Sequence, residues 1–153
     1  MRHVRLLAVL SCTLVWGAGD LSAQAPATRK QVFTAPNARP SVLSPAVRVG
    51  DLVYLSGALG TKAGGVLADG GIQGQTRQAL ENVKTSLALA GGVMEDIVKC
   101  SVFLADVKDF AAMNQVYREF FPTDPPARTT VAVAGLVAPN AVIEIECIAA
   151  ARK

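Results

Sequence analysis

Apolar positions along this chain change period several times, and each change marks an element. Val47-Arg48-Val49 and Leu52-Val53-Tyr54-Leu55-Ser56-Gly57 flank Gly50-Asp51, which predicts a tight hairpin. Before it, Gln31-Val32-Phe33 reads as a short strand that Pro36 and Pro40 end. After it, Gly60, Gly64, Gly65, Gly70 and Gly71 predict a flexible loop. From residue 72 the spacing becomes three and four. Ile72, Thr76, Ala79, Leu80, Val83, Leu87 and Ala90 then share one face of a helix over 72–90, which Gly91-Gly92 terminates. Ile97 to Leu104 is a strand rich in β-branched and aromatic residues. A second helix is expected from about Lys108 to Phe120, with Asp106 and Asp109 as a capping pair. Its apolar stripe, Phe110, Met113, Tyr117 and Phe120, reads as core. Pro122, Pro125 and Pro126 break that helix, and two strands close the chain, Arg128–Leu136 and Ala141–Ala149.

This order predicts an α+β fold, a six-stranded mixed sheet with two helices on one face. The last strand, Val142-Ile143-Glu144-Ile145-Glu146-Cys147-Ile148, is apolar on both phases. Both its faces should therefore be covered, and self-association is expected.

The first residues are read apart from the fold. Met1-Arg2-His3-Val4-Arg5 is basic, Leu6 to Ala18 is apolar, and small residues follow in Leu21-Ser22-Ala23-Gln24-Ala25. That is the layout of a signal peptide, shorter than the roughly 20 apolar residues of a spanning helix. Cleavage after Ala23 is expected, because a cut after Ala25 would expose Pro26. The expected organisation is a signal peptide over 1–23, a tether over 24–30 and one domain over 31–153, with no stable membrane anchor after cleavage. The compartment is then periplasmic or extracellular.

Loss of Arg2, Arg5 and Asp20 takes the formal charge from +3 to +2, which offers no footprint for nucleic acid. The single histidine, His3, leaves as well, so triads and histidine-ligated metals are excluded from the mature chain. Cys100 and Cys147 lie in separate apolar runs without Cys-x-x-Cys spacing. Two buried thiols are the expectation, although an oxidising compartment leaves a disulfide open.

The chemistry that remains is charge in apolar strands. Arg128 opens one strand, and an arginine fork suits a small carboxylate. Glu144 and Glu146 lie inside the next, two apart and so on one face.

These residues carry a family resemblance. Pro126-Ala127-Arg128-Thr129-x-Val131-x-Val133-Ala134-x-Leu136, followed by Ile143-Glu144-Ile145, resembles the C-terminal signature of the reactive intermediate deaminases, the RidA/YjgF family. Leu55-Ser56-Gly57, Gln78-x-x-x-Asn82-Val83, Asp96-Ile97-Val98-Lys99 and Asp109-Phe110…Asn114…Tyr117…Phe120-Phe121 extend it over roughly residues 30 to 151. The resemblance implies a chorismate mutase-like fold, a homotrimeric barrel and active sites between subunits. It further implies hydrolysis of enamines and imines of the 2-aminoacrylate type to 2-oxo acids and ammonia, with no cofactor and no metal. By the same resemblance Arg128 holds the substrate carboxylate and Glu144 handles the water or the proton. Ser56, Gly57 and Asn114 line the cleft. One position departs from the pattern. In Ser44-Pro45-Ala46, alanine stands where well-studied members carry a tyrosine. That departure keeps a second class of function in view, a non-catalytic carboxylate-binding or chaperone-like trimer in the periplasm.

Overall fold

The computed structural model describes residues 29–38 and 40–152; the expected signal peptide and most of the tether lie outside them. The strands are β1 (Gln31–Phe33), β2 (Ala46–Val49), β3 (Leu52–Leu55), β4 (Ala58–Leu59), β5 (Ile97–Leu104), β6 (Ala127–Ala132) and β7 (Ile143–Ala150). Helix α1 (Gly71–Leu89) falls between β4 and β5, and α2 (Phe110–Phe120) between β5 and β6. The sheet order is β1-β2-β3-β7-β5-β6, with β4 on β7. All pairings are antiparallel except β5 with β6. The expected six strands and two helices are present, and β4 is the one addition.

Period two fixes what each face does. Ile143, Ile145, Cys147 and Ala149 of β7 pack with Cys100, Val102 and Leu104 of β5 and Val53 and Leu55 of β3. Leu80, Val83 and Leu87 of α1 and Met113 and Tyr117 of α2 cover them. The opposite phase carries Tyr54, Ile148, Phe103 and Val131, half-buried or exposed, with Val49 and Leu52. Among the described residues of one chain nothing covers that face, and Tyr54 is 44% exposed.

Several expectations change. Cys100 and Cys147 are not free thiols. Antiparallel β5 and β7 set them directly opposite, with Cα atoms 4.1 Å apart, and they form a disulfide inside the core. Spacing could not show this, because only strand register decides it. The glycine-rich segment is tied down rather than loose: Ala68 N–H donates to the Gly60 carbonyl at 2.8 Å, and Lys62 pairs with Asp69 at 2.9 Å. Strand β6 stops at Ala132 instead of Leu136, because its partner β5 ends at Leu104 and leaves no ladder to continue. Of the expected capping pair only Asp106 caps, accepting from Lys108 N–H at 2.9 Å and closing a short turn ahead of α2, whereas Asp109 makes no side-chain cap.

Candidate active site

The candidate residues fall into two groups on opposite faces of the sheet. Arg128 lies opposite Cys100, so its side chain points to the helix-covered face. There its guanidinium stacks on the Tyr117 ring, 4.5 Å from the centroid, with the Phe110 ring at 5.8 Å. One Nη also meets Met113 Sδ at 4.0 Å. The aromatic faces attract the cation without using its N–H groups. Among the described residues no carboxylate pairs with Arg128. Its donors instead face a cleft of about 370 Å³, shared with Asn114, Tyr117, Arg118, Phe121 and Pro126. A partly buried guanidinium without a counter-ion, opening on a cavity, is suited to an anion.

Glu144 lies opposite Phe103, on the other phase of β7 and β5, and faces the uncovered side. Phe103, Val133, Gly135, Leu136 and Val137 surround it around a second hollow of about 300 Å³. Gly57 closes against the same carboxylate. Any Cβ at Gly57 would collide with Glu144 Oε1, so glycine is what permits the approach. Glu146, the other candidate acid, is exposed, whereas Glu144 is half-buried.

Two amide side chains on α1 build this half. Asn82 donates to the carbonyls of Leu59 at 2.9 Å and Thr61 at 2.8 Å, fixing the segment that follows Gly57. Buried Gln75 accepts from Val142 N–H at 3.0 Å and donates to the Asn140 carbonyl at 3.3 Å, holding the loop before β7. Ser56 is occupied locally: its hydroxyl donates to the Ser44 carbonyl at 2.7 Å and its N–H to the Pro45 carbonyl at 3.1 Å.

The structure thus joins Arg128 to Asn114, and Glu144 to the Ser56–Gly57 segment. It does not bring the two groups together in one chain. Arg128 and Glu144 lie on opposite faces and three residues apart along β5, opposite Cys100 and Phe103. Ala46, at the departing position, is fully buried between Phe33 and Leu55. Gln75 and Tyr117 were legible only as helix positions; buried polarity on an apolar stripe is the signal that marks them. No grouping of three or more metal-ligating side chains occurs among the described residues.

Comparison with known proteins places the chain in a family. The model of the family described as Endoribonuclease L-PSP matches residues 33–151. The chain is 39% identical over 134 residues to the Reactive Intermediate Deaminase A, chloroplastic, of Arabidopsis thaliana, covering 85% of this chain and 71% of that one. It is 43% identical over 106 residues to the 3-aminoacrylate deaminase RutC of Acinetobacter baylyi, covering 69% and 83%. The crystal structure of RidA from the Antarctic bacterium Psychrobacter sp. PAMC 21119 superposes with a TM-score of 0.71 at 37% identity, covering 78% of this chain and 98% of that one. With the family model matched over residues 33–151 and relatives and solved structures similar over most of their length, the chain belongs to the Endoribonuclease L-PSP family, the family of RidA.

Proposed function

We propose that this protein hydrolyses enamines and imines of small carboxylic acids, of the 2-aminoacrylate type, in a site shared between two copies of the chain. One observation carries the reading: Arg128 is stacked on aromatic rings and open to a cleft, with no carboxylate partner among the described residues. Relatives that bear deaminase names support the reaction class.

Arg128 takes the substrate carboxylate in its fork and orients the neighbouring carbon. The enamine tautomerises to an imine, water adds to C2, and the C–N bond breaks. Pyruvate and ammonia leave, with one water consumed and no redox change. Glu144 holds the water and passes its proton to the departing nitrogen. Since Arg128 and Glu144 of one chain face apart, the Glu144 that serves a given Arg128 comes from a neighbouring copy. The uncovered sheet face, with Tyr54, Leu52, Val49 and Val131 exposed, supplies the apolar surface for that contact. A closed homotrimer, each subunit giving Arg128 to one cleft and Glu144 to the next, satisfies every site with one repeated interface.

Export is part of the proposal. The basic and apolar start of the chain has the layout of a signal peptide, and the Cys100–Cys147 disulfide belongs to an oxidising compartment. The reaction is tested by ammonia release from freshly generated 2-aminoacrylate. Release faster than in a protein-free control is expected from the wild type, and no acceleration over that control from Arg128→Ala. Full turnover in that variant would remove Arg128 from the mechanism. Binding of a 2-oxo acid without turnover by the wild type would favour the non-catalytic trimer.

A further inference from the structure

Two buried side-chain oxygens among the described residues lack any hydrogen-bond partner, Tyr117 Oη and Thr130 Oγ1. Both lie on the Arg128 side of the sheet. Thr130 follows Arg128 by two residues on the same face of β6, and Tyr117 is the ring on which the guanidinium stacks. Buried polar groups are nearly always paired, so two orphans beside one unpaired cation call for a common cause.

Packing does not supply it. Tyr117 is 4% exposed, and its ring meets Phe121 at 4.7 Å between centroids and the guanidinium at 4.5 Å. A phenylalanine would make both contacts without burying a hydroxyl. The hydroxyl is therefore surplus to the fold. Tyr117 is also one of the residues that line the cleft into which Arg128 opens.

We propose that Tyr117 is a ligand-binding residue, its hydroxyl donating a hydrogen bond to an oxygen of the carboxylated ligand that Arg128 grips. The inference rests on the reading of Arg128 as the carboxylate holder. A carboxylate has about four acceptor positions, and a guanidinium fork fills two of them. The phenol, at the edge of the ring whose face carries the guanidinium, supplies a third donor from another direction. Burial pushes the Tyr117 phenol up to about 12, against the pull of Arg128, so it remains a protonated donor at any working pH. Two donors at an angle fix the rotation of the carboxylate, which a fork alone leaves freer, and so aim the adjacent carbon.

The test measures 2-oxobutyrate binding by calorimetry for wild type, Tyr117→Phe and Arg128→Ala, with sedimentation and thermal melts of each ligand-free protein. Tyr117→Phe should bind about ten- to a hundredfold more weakly, the usual worth of one hydrogen bond to a charged group. Its melting temperature should be unchanged or higher, and its assembly state unchanged. Wild-type affinity in Tyr117→Phe, with binding lost in Arg128→Ala, would overturn the role of Tyr117 and leave that of Arg128 standing. Equal binding by wild type and Arg128→Ala would overturn both. Dissociation of Tyr117→Phe into smaller species would make the hydroxyl an assembly contact and overturn the proposal. Should that variant not fold, an isotope label at tyrosine Cζ in the wild type decides. The chain has two tyrosines, and the Tyr117 resonance must shift on addition of 2-oxobutyrate; a silent resonance refutes the contact.

Discussion

Reducing the Cys100–Cys147 bond should cost this fold a large part of its stability. The two residues are 47 apart in sequence. Closing a loop of that length in the unfolded chain is worth about 4 kcal/mol at room temperature on the chain-entropy relation. Both cysteines are buried, at 0% and 2% exposure, and reduction removes no heavy atom, so no cavity term adds to the figure. For a domain of this size, each kcal/mol moves the melting temperature by roughly 4 °C, so a drop of roughly 15 °C is expected. The assay compares protein refolded with and without a reductant, at one protomer concentration, because assembly also shifts the midpoint. Mass measurement after alkylation verifies each form. The reasoning is refuted if the oxidised native protein takes up two alkyl groups, or if the two forms melt within about 3 °C of each other.

Further outcomes follow from the site. Arg128→Lys keeps the charge but loses the planar fork, and it should weaken 2-oxobutyrate binding by about tenfold or more in calorimetry. Gly57→Ala drives a methyl group into the Glu144 carboxylate, and ammonia release should fall by at least about tenfold while the melting temperature moves by only a few degrees. The raised Tyr117 value predicts an alkaline effect. Because the unfolded chain loses its phenol proton first, stability is unaffected by this group below the ordinary phenol value of 10.0 and falls as pH rises from there toward about 12. The denaturant stability of wild type relative to Tyr117→Phe should decline across that window and stay level below it.

Period and punctuation made most of the architecture legible. The stripe from Ile72 to Leu87 marked α1, and the apolar run from Val142 to Ile148 marked β7, although being apolar on both phases it did not tell that Ile143, Ile145 and Cys147 face the helices. What escaped was set by contacts between distant segments. The two-residue β4 carries no periodic signal, and it exists because Ala58 and Leu59 find Ile145 and Glu144 across a short gap. Leu136 leaves the sheet because β5 is too short to hold it, which depends on a neighbour and not on its own residue type. The disulfide depends on register in the same way. Arg128 and Glu144 stood out as charges in apolar runs, but parity counted along two separate strands could not say whether they met. Only the shared register with β5 places them on opposite faces. Tyr117 fitted an apolar stripe so well that its hydroxyl drew no notice, and its lack of a partner is visible only in three dimensions.

The central claim is that Arg128 of one chain works with Glu144 of another, and subunit mixing tests it most directly. Arg128→Ala and Glu144→Gln, each alone, should release ammonia from 2-aminoacrylate no faster than a protein-free control. When the two variants are unfolded together and refolded at equal amounts, about a quarter of the clefts in a random closed ring pair an intact Arg128 with an intact Glu144. Activity should return to about a quarter of the wild-type value. Mixtures that assemble as the wild type does and stay inactive would contradict the shared site.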